Sequence, residues 1–263
     1  MPEQTAVVVL AAGAGTRMRS KLPKVLHPVG GRSMLAHAIH AAQGTEPDEL
    51  ITVIGHDREQ VGAAVTDLAK QIGREIHLAV QDQQLGTGHA VQCALEVLPA
   101  DFSGDVLVTT ADAPLLDSHT LGALLDEHRS YPERAAVTVL TFVPDDANGY
   151  GRIVRTADGE VAEIVEHADA TPEQAGITEV NSGVFAFNAG HLRSALSQLN
   201  TDNAQGELYL TDVLGIARGE GHPVRAYTAS DAGELAGVND RVQLAEAGTV
   251  LNQRNLEVAM RGG

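Results

Sequence analysis

The feature that most constrains this chain is a run of short, largely apolar segments alternating with helical patterns. Val7 to Leu10, Leu50 to Ile54, Ile76 to Val80 and Val106 to Thr109 have the length and composition of strands buried in a sheet. Between them, Ser33 caps a helix to Gln43 that ends near Gly44. Asp57, with Gln60 three residues on, reads as a capping box opening a helix to Ile72, which Gly73 closes. His89 to Leu98 is a helix stopped by Pro99, Ser118 caps another to Arg129, and Ala135 to Val143 is a strand. This cadence predicts an α/β chain with a doubly wound, mostly parallel sheet, whose ligands sit at the carboxyl ends of the strands. The loop after Leu10, the loop Gln81 to Gly88 and the turn Ala111 to Pro114 all stand at such ends, so they should converge.

After Val143 the rhythm changes. Gly151 to Arg155 and Val161 to His167, joined by Ala157-Asp158-Gly159, read as a β-hairpin, and Thr178 to Phe187 as a further strand. Together they predict an antiparallel excursion closing over one side of the main sheet. Helices at Ala189 to Leu199 and Glu207 to Arg218 and a strand at Val224 to Thr228 resume the α/β pattern. A single helical pattern then runs from Asp240 to about Met260. The 263 residues suffice for one large domain or two smaller ones, and no internal repeat or low-complexity linker is visible. With no Trp and only eight Phe and Tyr, Ala, Val and Leu must fill the core.

Charge narrows the partners. A net charge of −17 argues against a general nucleic-acid surface, and its simplest meaning is solubility. An acidic protein that binds anions must then use a local cationic pocket or a metal. Of only 18 Lys plus Arg, five fall within sixteen residues: Arg17, Arg19, Lys21, Lys24 and Arg32. They follow directly on Ala11-Ala12-Gly13-Ala14-Gly15, where small residues let backbone amides approach a ligand. A buried strand, a glycine turn and a cationic cluster point to an anion site, phosphates above all. The single cysteine, Cys93, lies in an apolar helical pattern and reads as core. The N-terminus lacks the basic flank and apolar run of a signal peptide. No window approaches the ~18 uninterrupted apolar residues of a membrane span. The expectation is a soluble cytoplasmic protein without nucleic-acid or membrane partners.

By itself Gly13-Ala-Gly15 fits an ordinary tight βα turn equally well. Met18 stands where a dinucleotide fingerprint needs its third glycine, and no Lys-Ser or Lys-Thr follows at Walker A spacing. The adjacent cations weaken the bland reading, because four like charges in eight residues repel unless an anion or acidic face balances them.

Leu10-Ala-Ala-Gly-Ala-Gly-Thr-Arg-Met18 followed by Leu22-Pro-Lys-Val-Leu26 resembles the signature of sugar-1-phosphate nucleotidyltransferases. Further matches are Gln81…Leu85-Gly-Thr-Gly-His89, Gly149-Tyr-Gly-Arg-Ile153, Ile164-Val-Glu-His167, Asn203-Ala-Gln-Gly-Glu207 and Gly237-Val-Asn239. These are similar to the uridylyltransferase half of bifunctional N-acetylglucosamine-1-phosphate uridyltransferase/glucosamine-1-phosphate acetyltransferases. The likeness runs over essentially the whole chain with the motifs in order. It implies a Rossmann-like doubly wound mixed sheet of the GT-A-like type, with residues 1–238 as the nucleotidyltransferase domain and 239–263 as a helical arm.

What the resemblance implies for the site can be set beside each residue's plainer reading. Leu10, Ala11, Ala12 and Gly13 would wrap the nucleotide, and Arg17 and Lys24 would be the catalytic cations on its phosphates; Arg19 and Lys21 read better as surface residues. Gln81, Gly86 and Thr87 would meet the base and ribose, the Gln81 amide both donating and accepting. Asp112 and Asn239 would hold Mg²⁺, although Asp112 could cap its turn and Asn239 the long helix. Gly151, Glu166 and Asn181 would contact the sugar; an exposed strand carboxylate is the plainer reading of Glu166. Asn203 and Glu207 match a family motif whose role does not follow from the residues; the plainer reading of Asn203 is that it helps start the helix. His37 and His40 read as a helix face.

Three departures stand out. Ala111 replaces the usual glycine before the metal aspartate, Thr110 stands where some members carry Tyr, and Asp240 follows Asn239 where a second Asn is common. The family's hexapeptide-repeat β-helix is absent after Gly263, so acetyl transfer and β-helix trimerisation are not assigned to this chain. The implied reaction is UTP plus N-acetylglucosamine 1-phosphate giving UDP-N-acetylglucosamine, a peptidoglycan precursor, and pyrophosphate. The rival readings are another sugar-1-phosphate nucleotidyltransferase and a non-catalytic UDP-sugar-binding module.

Overall fold

The structure is a computed structural model describing residues 4–130 and 134–262. Its centre is a mixed sheet whose main path runs β11-β7-β10-β6-β1-β4-β5. The strands are β1 (Thr5–Leu10), β4 (Glu49–Ile54), β5 (His77–Val80), β6 (Asp105–Thr110), β7 (Val137–Phe142), β10 (Val180–Asn188) and β11 (Val224–Thr228). β1 pairs in parallel with β4 and β6, and β4 with β5, as the alternating cadence requires. The expected excursion is smaller than the sequence suggested. Only the hairpin β8 (Arg152–Arg155) and β9 (Val161–Val165) leaves the main path, whereas β10 enters the sheet between β6 and β7, antiparallel to both. Val184, Phe185, Ala186 and Phe187 are buried alternately on the two faces, which only an interior strand allows. A small hairpin, β2 (Pro28–Val29) with β3 (Arg32–Ser33), lies apart.

Helices cover both faces. On one side α3 (Thr87–Val97), α6 (Ala189–Leu196) and α7 (Asp212–Gly219) bury Val91, Leu95, Leu192 and Leu214 against Val8, Val106, Phe185 and Phe187. On the other, α1 (Met34–Gln43), α2 (Arg58–Ile72) and α4 (Ser118–Arg129) bury Leu35, Ile39, Val65 and Leu121 against Val7, Val9 and Leu107. Alternating inward positions on β1 serve both layers, the period-2 geometry of a sandwiched strand. A short α5 (Pro172–Ala175) carries a full Thr171–Gln174 capping box. The long α8 (Arg241–Gly262) packs through Ala247, Leu244 and Leu251 against Val29, Met34 and Leu115, while Val258 and Met260 are exposed.

Several local expectations hold: Ser33 accepts from the Ala36 N–H at 3.1 Å, and Gly73 ends α2 at φ 69°. Others shift. Asp57 has φ 53° and makes no side-chain cap, so the capping box with Gln60 is absent. Asp117, one residue before Ser118, caps α4 by accepting from Thr120. α3 begins at Thr87, α6 ends at Leu196, and α7 starts only at Asp212, the stretch from Glu207 being loop. Among the described residues no helix is long and apolar enough to cross a membrane.

Candidate active site

Gly13 has open space around it, but Gly15 is required by its neighbour: at φ +58°, a Cβ there would lie 2.3 Å from the Lys24 Cβ. The loop after β1 therefore closes over the Lys24 stem and aims the ammonium inward. Lys24 opens a 3-10 turn, Lys24–Leu26, after Pro23. Its Nζ donates to Asp112 Oδ2 at 2.6 Å and to Asn239 Oδ1 at 2.9 Å. Arg17 donates to the same Asn239 oxygen at 2.9 Å. Four residues separated by up to 222 positions thus share one network. They wall a cavity of about 170 Å³ with Leu10, Ala11 and Gly13.

A second cavity of about 270 Å³ shares Leu10, Gly13 and Asp112 with the first and adds Ala12, Gln81, Gly86, Thr87 and Thr110. The three strand-end segments do converge. Gly86, at φ +107°, is pressed by residues far along the chain: a Cβ there would meet Leu208 O at 2.6 Å. The Gly88 N–H donates to Leu208 O at 2.8 Å, and the Leu208 N–H to Leu85 O at 2.7 Å. Asn203 secures this loop by donating to Glu207 O at 2.7 Å, so it clasps a loop and does not start a helix. Thr87 Oγ1 accepts from the Leu210 N–H at 3.0 Å. Gln81 is buried, and its Nε2 donates to Gly86 O at 2.9 Å.

Gly151, Glu166 and Asn181 form a third group. The Asn181 N–H donates to Gly151 O at 2.9 Å, and the space a Gly151 side chain would need is taken by Glu166 Oε2, 3.3 Å from such a Cβ. Asn181 Oδ1 accepts from the Gly183 N–H at 2.8 Å, and its amide nitrogen donates to no described residue. Asn181 lies on β10 at the register shift between Asn181 and Phe185, where the strand bulges. Glu166 follows β9 and is not an exposed strand carboxylate: it is half-buried and accepts from the Thr211 hydroxyl at 3.0 Å. Burial raises its pKa above the usual carboxylate value, the neighbouring Asp212 and Asp169 add to that, and the Thr211 hydrogen bond opposes it. Tyr209, donating to Asp169 at 3.3 Å, is pushed up to about 12, chiefly by desolvation and then by the Asp169 charge. No hydrogen bond or ion pair among the described residues joins this group to the Lys24 network. The two approach at Thr110, which lines the second cavity and lies 3.5 Å from where a Cβ would stand on Gly183, two residues after Asn181.

The departures find their places. Ala111 has no positive φ, and its methyl is buried in the core beside Ala113, away from the cavities. Asp240, not Asn239, caps α8, accepting from Val242 and Gln243 at 2.9 Å each. Its carboxylate is occupied there, and the Asn239 side chain is released toward Lys24. Sequence reasoning missed Gln84, which donates to Ala12 O, and left Glu207 without a place; both line the second cavity. The Gln81-x-x-Gln84 spacing was visible, but nothing local ties an exposed loop glutamine to a strand end seventy-two residues earlier.

Asp112 and Asn239 bring one carboxylate and one amide oxygen to the same place, where both accept from the Lys24 ammonium. Among the described residues no group of three or more His, Cys, Asp or Glu could hold a metal. Two hard oxygens without a closed cage suit a Mg²⁺ that keeps waters and phosphate oxygens as its other ligands.

A family model described as "Nucleotidyl transferase" matches residues 6–235. The bifunctional protein GlmU of Nocardia farcinica is 72% identical over 263 residues, and that of Rhodococcus opacus 66% over 264 residues. Each match covers all of this chain and 53% of the relative, so the chain spans about half the length of the curated relatives it matches. Among solved structures, a candidate glucose-1-phosphate thymidylyltransferase from Bacillus anthracis, in complex with a sucrose, superposes with TM-score 0.74 at 21% identity. That superposition covers 94% of this chain and 95% of that one, a likeness of fold. With the family model spanning β1 through the approach to α8, the chain belongs to the nucleotidyl transferase family.

Proposed function

We propose that this chain transfers UMP from UTP to N-acetylglucosamine 1-phosphate, giving UDP-N-acetylglucosamine and pyrophosphate. The observation that carries the reading is the shared network of Arg17, Lys24, Asp112 and Asn239, lining a cavity that shares Leu10, Gly13 and Asp112 with the one lined by Gln81, Gly86 and Thr87. The name shared by the relatives at 60–72% identity supports it. Residues 1–238 act as the catalytic unit and 239–263 as an arm; Gly263 lies outside the described residues.

The sugar phosphate, with a second pKa of about 6, is already largely dianionic at neutral pH, so attack on the α-phosphorus needs no general base. What opposes reaction is the repulsion of two polyanions and the charge gathering on pyrophosphate. Arg17 and Lys24 place two cations against the phosphates, and the loop closed over Lys24 holds the ammonium in position before substrate arrives. Leu10 to Gly13 support the nucleotide; Gly151, Glu166 and Asn181 orient the sugar. Mg²⁺, held by Asp112 and Asn239, would supply further charge neutralisation between the reacting groups. Substrates of this kind place the protein in the cytoplasm and its product in cell-wall synthesis.

Pyrophosphate release across a panel of nucleotides and sugar 1-phosphates tests the reading, with EDTA and added Mg²⁺ as controls. The UTP and N-acetylglucosamine 1-phosphate pair should turn over fastest and only with the metal. Release that is fastest with another pair, or binding of UDP-N-acetylglucosamine with no release at all, overturns it. In the same assay Glu166→Ala should raise the KM for the sugar phosphate at least ~10-fold and leave the KM for UTP within about twofold. Equal changes in both would separate Glu166 from the sugar.

A further inference from the structure

Gln81 was expected to offer a base both a donor and an acceptor. The structure spends its donors internally. Nε2 donates to Gly86 O at 2.9 Å and stands 3.2 Å from His89 Nδ1, while no described donor reaches Oε1. The orientation of the amide is fixed by chemistry, since a backbone carbonyl only accepts: turned over, Oε1 would face Gly86 O lone pair to lone pair. With both amide hydrogens directed this way, His89 Nδ1 is an acceptor, and its proton sits on Nε2, 3.8 Å from Cys93 Sγ. His89 lies in the first turn of α3 and, unlike Gln81, does not line the cavity.

We propose that His89 is a positioning residue: with the Gly86 carbonyl it locks Gln81 so that only the amide oxygen faces the nucleobase, selecting bases that carry an imide N–H. The inference rests on the nucleotide-site reading above and deepens it. Uracil presents N3–H, which Oε1 accepts. Cytosine presents an N3 lone pair, which Oε1 opposes. To serve cytosine the amide would have to turn, setting its oxygen against two acceptors, Gly86 O and His89 Nδ1. Without the His89 nitrogen only one of those two opposing contacts remains, so the turned amide becomes more accessible. The cavity thus discriminates through a side chain whose own environment, rather than its identity, decides which pole it shows.

Two substitutions separate positioning from packing. His89→Leu keeps apolar bulk and removes the acceptor. His89→Asn loses bulk but offers an oxygen at the δ position. The readout is the ratio of kcat/KM for UTP over CTP in pyrophosphate release with N-acetylglucosamine 1-phosphate. Wild type should favour UTP at least ~100-fold, within reach of a site whose buried polar groups oppose the wrong substrate. His89→Leu should lower that ratio at least ~10-fold, and His89→Asn should keep it within about threefold of wild type. A His89→Leu ratio equal to wild type, or a His89→Asn ratio as low as that of His89→Leu, overturns the role of His89 and leaves the uridylyltransferase reading standing. A wild-type enzyme that turns over CTP as well as UTP overturns both.

Discussion

Replacing Lys24 or Asp112 with alanine is expected to cut turnover at least ~100-fold, the scale of losing one charge contact made to the transition state. The two side chains meet at 2.6 Å with side-chain exposures of 11% and 31%, so their charges act where water screens them only partly. Lys24→Ala removes a cation from a chain with few to spare. It leaves the Asp112 carboxylate without its ammonium, with only Arg17 still on Asn239, while incoming phosphates add further negative charge. Asp112→Ala removes the only carboxylate in the network. Because the Lys24 stem also supports the loop at Gly15, Lys24→Met provides the control that keeps the stem and loses the charge. Single-turnover pyrophosphate release should be as poor in Lys24→Met as in Lys24→Ala. A Lys24→Met enzyme within ~10-fold of wild type would assign the effect to loop packing and sink the electrostatic mechanism.

The largest expected effect on stability lies at the opposite end of the sheet. Asp105 begins β6, its side chain is 0% exposed, and its carboxylate accepts from Arg129 Nε at 2.7 Å and from Arg134 at 2.6 Å. His128 Nε2 lies 3.4 Å away, an electrostatic contact too poorly aligned to count as a hydrogen bond. Burial alone would raise the Asp105 pKa; His128, Arg129 and Arg134 outweigh it and hold the carboxyl at about 2. Asp105→Ala strands these partners and should cost about 3 kcal/mol in urea unfolding, the low end for breaking a buried pair because both arginines keep partial solvent access. Turnover per folded molecule should stay unchanged, since the candidate site occupies the carboxyl ends of the strands.

The folded pKa lies below the ordinary value near 4, so folding favours the ionised form. The contribution is fully present above about pH 4 and is lost as pH falls toward 2. Wild-type and Asp105→Ala stabilities should therefore converge in acid and stand furthest apart near neutrality. Parallel curves across that window would show that Asp105 stabilises through packing, not charge.

How much of this was legible in advance depended on distance along the chain. β1, β4, β6, the Ser33 cap and the Gly73 stop rest on neighbours within a turn or a strand, and they stand where the residues placed them. The convergence of the glycine loop, Gln81 to Gly88 and Ala111 to Pro114 followed from the parallel topology, because every strand of such a sheet ends on the same side. Asp57 failed as a cap because a residue of the right type took a left-handed backbone, which composition does not report. β10 read as part of an excursion because its sequence does not say which strands flank it; its pairing with β6 and β7 spans tens of residues.

By itself the sequence determined that this is an α/β chain with an anion site where its cations gather after β1, since apolar period, turn residues and charge spacing are local quantities; the nucleotide entered only through the family resemblance. Only the tertiary structure decided what those residues do to one another. It put Lys24 between Asp112 and Asn239, gave the α8 cap to Asp240 and so freed Asn239. It filled the Gly15 and Gly86 vacancies with Lys24 and Leu208 instead of ligand. It also engaged the Gln81 amide nitrogen with Gly86 O and set it 3.2 Å from His89 Nδ1. These outcomes are competitions for hydrogen-bond partners and space among residues far apart in the chain, and such competitions are settled only when the fold brings the rivals within reach.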